Sequence, residues 1–181
     1  YGGGAHLIGG VALAAIIFNH IDWIFGFLRM GTTGLTAQAA GAGDVPEIFA
    51  NLIRALAVAA VAGLVLVAAQ GPLLDLFLWL MGGSEKVNAA VSDYFQVRIW
   101  GAPAALANFA MVGWFIGLGR ANIAFAIQLI LNGINIVLAV AFVFGLGLGV
   151  TGVAAAILVA EIAAVIAGGL FAWRELAARD A

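Results

Sequence analysis

The 181-residue chain has no cysteine, which excludes disulfides and cysteine-ligated metal sites. Charge is scarce. Asp, Glu, Lys and Arg make up 9% of the residues, where a soluble domain carries roughly a quarter. With seven Lys/Arg there is no basic patch to grip a phosphate backbone, so no nucleic-acid partner is expected. His6 and His20 are the two histidines, and no HExxH-type metal motif occurs. No nucleophile–base arrangement or phosphate loop is present. Gly117-Leu-Gly-Arg-Ala-Asn has the glycines of a weak loop motif but lacks the strand of a dinucleotide site. No enzyme activity and no cofactor are expected. There is also no basic n-region, so no signal peptide is readable. The chain starts at Tyr1 without methionine, as expected for a piece of a longer protein.

What is present is apolar. Hydrophobic residues make up 65% of the chain. A soluble protein of this length must present a polar surface to water, whereas lipid tolerates an apolar one. A membrane-spanning helix needs about 20 mostly apolar residues. Five runs qualify, near 5–29, 48–71, 88–117, 122–144 and 150–173. They are long and continuously apolar, unlike the alternating strands of about ten residues that build barrels. As helices they pair every backbone N–H and C=O internally, as lipid requires. The glycine-rich run Gly145-Leu-Gly-Leu-Gly-Val-Thr-Gly152 is read as the break between the last two spans. Many of the 25 glycines would serve close helix approach. The fold class is therefore all-α, a polytopic transmembrane helix bundle with about five spans.

Between the second and third spans, Pro72 to Met81 reads as a short interfacial helix. A turn and a new helix capped by Ser84 follow. Trp79, Tyr94 and Trp100 are expected at that interface, where aromatic rings are favoured. Arg29, Arg54, Arg120, Arg174 and Arg179 are counted on one side, and Lys86 and Arg98 on the other. The positive-inside rule then puts the first group in the cytoplasm and Tyr1 outside. Pro103 is expected to kink the third span.

Function is sought where polar groups sit among apolar ones. Gln128, Asn132 and Asn135 fall at i, i+4 and i+7, on one face of a helix. They would line a polar cavity or bond neighbouring helices. Asn108 is the amide of the third span. Asp22 and Glu161 lie within spans and are the candidate protonatable groups, either for coupling or as hydrogen-bonded helix contacts. Asn19 and Asp22 share a face, and His20 is read as structural.

Three segments resemble the MATE family of multidrug and toxin extruders, in its DinF-like branch. They are Gly26-Phe-Leu-Arg-Met-Gly-Thr-Thr-Gly-Leu-Thr-Ala-Gln-Ala-Ala-Gly, then Tyr94 to Asn108 continuing to Gly113-Trp114. The last is Leu131-Asn-Gly-Ile-Asn-Ile-Val-Leu followed by Phe144-Gly-Leu-Gly-Leu-Gly-Val-Thr-Gly-Val-Ala. The resemblance implies two six-helix lobes around a central cavity and exchange of drugs or organic cations for H⁺ or Na⁺. The chain would be a partial N-terminal lobe, the second to sixth helices, in the inner membrane. Its partners would be lipid and a C-terminal lobe. It also implies cavity roles for Asn108 and Asn135. At the family's N-lobe ion site the acidic position falls on Ala139 and a threonine position on Ile157. Neither residue binds a cation or carries a proton, so coupling is expected elsewhere. Rival readings are a lipid-precursor flippase of the same superfamily and a non-transporting membrane scaffold. The flippase would need a more cationic cavity, and buried Lys or Arg are nearly absent from the sequence reading.

Overall fold

The computed structural model describes residues 4–180. Tyr1, expected on the outer side, lies outside the described residues. The elements are α1 (Ala5–Ile24), α2 (Gly26–Gly41), α3 (Val45–Ala68), α4 (Gln70–Met81), α5 (Glu85–Arg98), α6 (Ala102–Gly117), α7 (Ala121–Val140) and α8 (Gly149–Asp180). A 3-10 turn, Ile99–Gly101, joins α5 to α6, and a π-helical turn, Ala141–Gly145, ends α7. The pieces merge into five continuous helices long and apolar enough to cross a membrane: Ala5–Gly41, Val45–Ala68, Glu85–Gly117, Ala121–Gly145 and Gly149–Asp180.

Local chemistry sets most boundaries. Asp44 caps α3 by accepting a hydrogen bond from Glu47 N at 3.1 Å, with Pro46 in the first turn. Ser84 caps α5 by accepting from Val87 N at 3.3 Å. Gly82 closes α4 at φ 57°, a backbone that favours glycine. Gly147 and Gly149, at φ 66° and 59°, turn the chain from α7 into α8. Pro103 sits in the first turn of α6, directly after the 3-10 turn, where its missing N–H is tolerated.

The first helix runs on past residue 29. The stretch from Gly31 to Gly41 is rich in Gly, Thr and Ala, and α2 continues through it because its small residues pack against α6. A Cβ on Gly113 would strike the Arg29 carbonyl oxygen, and one on Gly117 would lie 2.6 Å from Thr33 O. Thr33 Oγ1 reaches Gly113 O at 2.9 Å and its own helix at Arg29 O at 2.8 Å. Tertiary contact overrides weak helix propensity here.

The interior is layered along the bundle axis. One core gathers α1, α4, α5 and the start of α8 around Phe18, Val91, Phe95 and Ile99. The other end is held by α2, α3, α6, α7 and the later turns of α8, around Ile48, Trp114, Phe115 and Ile127. Trp114 Nε1 donates to Ile48 O at 2.9 Å within that second core. At the α7–α8 end, the carboxylate of Glu175 accepts from Arg120 at 3.3 Å and from Arg179 at 3.0 Å.

Candidate functional site: a charged seam and an amide stripe

Two polar arrays stand out. The first lies between the stacked cores. Asp22 lies in the last turn of α1, Arg98 ends α5, and Glu161 sits mid-way along α8. All three line one small cavity of about 10 Å³, with Phe18, Leu66 and Leu106 around it. That is room for about one water molecule. Glu161 is buried, at 6% exposure, and its carboxyl makes no hydrogen bond or ion pair to a protein group among the described residues. Its space comes from Gly101: a Cβ there would lie 2.6 Å from Glu161 Oε2.

Arg98 is held by aromatic groups. Its guanidinium lies 4.3 Å from the Phe18 ring centroid and donates to Tyr94 Oη at 2.9 Å. Both carboxyls feel its charge, and Glu161 also feels that of Asp22. The backbone of Glu161 is fixed separately, because Asn108 Nδ2 donates to Glu161 O at 3.1 Å. Asn108 is 3% exposed, and its Oδ1 has no partner. Asp22 has a second outlook. It also lines an open groove of about 660 Å³ with Asn19, Arg29 and Phe109.

The second array is on α7. Asn132 is exposed, while Gln128 and Asn135 are half-buried. None of the three side chains makes a hydrogen bond within the chain among the described residues. They lie beside the face that packs on α8 through Ala124 and Ile127, roughly a quarter turn away. The structure therefore separates Asn108 from the other three amides. Asn108 is a buried contact between α6 and α8, and the α7 amides border the open side. Ala139 and Ile157 are both half-buried and bring no polar atom to the region between α7 and α8.

Arg98 was not legible as a site residue. The charge count assigns it to a connection beside Lys86, yet the helix runs unbroken from Glu85 and carries it among the spans. Tyr94, expected at the interface, is instead 4% exposed and anchors Arg98. Trp79 and Trp100 are exposed, at 78% and 61%. The available signal was spacing: Tyr94 and Arg98 are one helical turn apart. Arg54, counted in a connection, lies within α3 and pairs with Glu47 at 2.6 Å.

The MatE family model matches residues 2–141. DNA damage-inducible protein F of Escherichia coli (strain K12) is 38% identical over 161 residues, 89% of this chain and 35% of that protein. The inward-facing structure of a multidrug resistance MATE family transporter of the MOP superfamily superposes with a TM-score of 0.84 at 27% identity. It covers 92% of this chain and 38% of that one. An outward-facing structure of such a transporter gives 0.80 at 27% identity, covering 87% and 35%. The chain spans little more than a third of the length of these relatives. With the family match over most of its residues and the same helical arrangement, this multi-pass membrane chain belongs to the MATE family.

Proposed function

We propose that the chain is part of the N-terminal lobe of a secondary active antiporter. It would export drugs or organic cations across the inner membrane in exchange for H⁺ or Na⁺. The observation that carries this reading is the α7 stripe. Three amides in an apolar span have no hydrogen-bond partner among the described residues, and polar groups left against hydrocarbon are costly. They need an aqueous cavity, and in this reading that cavity is closed by the C-terminal lobe. Gln128, Asn132 and Asn135 line it, and Asn108 supports it from behind by holding α6 to α8. The five-span bundle and the multidrug transporters among its structural relatives support the same reading.

The scaffold alternative needs the amides to act as interhelical glue, and α7 offers them no acceptor among the described residues. The flippase alternative needs cationic groups facing the cavity. Arg98 is a semi-buried cation that the charge count missed, but its guanidinium is engaged by Phe18 and Tyr94.

The test is drug resistance conferred by the full-length protein in a susceptible strain, with expression checked. Asn132→Leu and Asn135→Leu are expected to lower resistance while leaving membrane insertion intact. Full resistance in both variants would sink the cavity assignment.

A further inference from the structure

In the resemblance, two polar positions of the N-lobe ion site fall on Ala139 and Ile157, which carry no ionisable group. The structure supplies ionisable groups at another place. We infer that Asp22, Arg98 and Glu161 form a proton-exchange site at the seam between the two cores, with Glu161 holding the proton and Asp22 passing it to the open groove. This rests on the antiporter reading and assigns its coupling site.

Three observations carry the inference. The first is the charge balance. Two carboxylates face one guanidinium in an apolar region, and one excess negative charge is costly there. A single proton neutralises the set. The groups facing Glu161 are Asp22 from α1, Arg98 from α5 and the Asn108 amide from α6. Leu66 of α3 lines the same cavity. Along α7, between Ala121 and Val140, there is no titratable side chain.

The second observation is that Glu161 is a buried residue whose carboxyl has no hydrogen-bond partner among the described residues and opens onto a cavity that fits about one water. Gly101 leaves that carboxyl its room. Arg98 is engaged by Phe18 and Tyr94, and no ion pair between it and Glu161 occurs among the described residues, so the carboxyl stays open to proton exchange.

The third is connectivity. Asp22 lines both the small cavity and the 660 Å³ groove. The proton leaves a Glu161 carboxyl oxygen, crosses a water in the cavity to the Asp22 carboxylate, and passes to groove water. Glu161 ends ionised against Arg98, and Asp22 returns to its starting state. Uptake runs the same path in reverse.

The test uses the purified full-length protein in liposomes, read by infrared difference spectroscopy after a pH jump, with drug counterflow measured in the same vesicles. A protonated-carboxyl C=O band is expected that E161Q abolishes and Glu161→Asp moves without abolishing. The two variants together separate chemistry from misfolding. Gly101→Ala, which alters no titratable group, is expected to shift the band by crowding the carboxyl. D22N is expected to slow the band's response to the pH jump at least tenfold while leaving its amplitude. A wild-type band in E161Q would overturn the site. Loss of the band with counterflow and its pH profile unchanged would overturn the coupling. A titrating Glu161 band with no counterflow of any drug would leave the proton site standing and sink the antiporter reading instead.

Discussion

Gly117→Ala tests the packing that carries α2 beyond the first span's expected end. The new Cβ would lie 2.6 Å from Thr33 O, 2.8 Å from Thr36 Cβ and 3.2 Å from Ala37 N. Two of these atoms are backbone, so no rotamer change relieves the contact. Reaching ordinary contact at 3.4 Å requires α2 and α6 to part by about 0.8 Å. The Thr33–Gly113 hydrogen bond, now 2.9 Å, would then stretch beyond hydrogen-bond range. Overpacking costs typically about 1–3 kcal/mol, and contact against backbone puts this case at the upper end. Loss of an interhelical hydrogen bond in a membrane adds about 0.6 kcal/mol. A destabilisation of about 3–3.5 kcal/mol corresponds to a fall in melting temperature of about 6–14 °C for a chain of this size. The assay is thermal unfolding of the purified protein in one detergent at a fixed scan rate, because irreversible unfolding makes the midpoint rate-dependent. Gly133→Ala is the control, since its Cβ meets nothing within 4 Å. It is expected to melt at or slightly above the wild type, because alanine is the better helix former. If Gly117→Ala melts with the control, the close approach of α2 and α6 is wrong.

Three further outcomes are expected. Asp44→Ala removes the α3 cap and should destabilise by about 1 kcal/mol, with faster amide exchange confined to the first turn of α3. Unchanged exchange there would refute the cap. Glu175→Gln weakens the ion pair that ties Arg120 to α8 and the pair with Arg179 within α8, and should cost about 1 kcal/mol. Its signature is faster exchange at the start of α7, with α3 unaffected. Trp114→Phe removes the indole N–H that donates to Ile48 O and leaves a void where the ring was fully buried, and should destabilise by about 1–3 kcal/mol, read from the same melting assay.

Much of the fold was legible because lipid imposes simple rules. Run length locates the five helices, clustered glycines mark the α7–α8 turn, and Ser84 announces α5. The ends of helices were less legible. Gly31 to Gly41 looks like a connection by propensity, and only its contact with α6 makes it helix. The seam was legible in part. Asp22 and Glu161 betray themselves as carboxyls within apolar runs, whereas Arg98 hides at the edge of one. Its significance depends on Phe18 and Asp22, far away in the chain, and on Gly101, whose value lies in the side chain it lacks. The α7 stripe was visible from periodicity alone. That Asn108 stands apart from it required knowing which helices touch.

The stacking of two cores has a mechanical consequence. The first helix is interrupted at Phe25, and the helix of α5 and α6 at Ile99–Gly101, both next to the charged seam. α1 travels with α5 and α2 with α6, so each interruption separates partners of one core from partners of the other. Only α8 runs unbroken through both cores alongside α3, so the two interruptions are where the other long helices could bend. The layer between the cores holds Asp22, Arg98 and Glu161, so a tilt there would shift the charged groups of α1, α5 and α8 relative to one another.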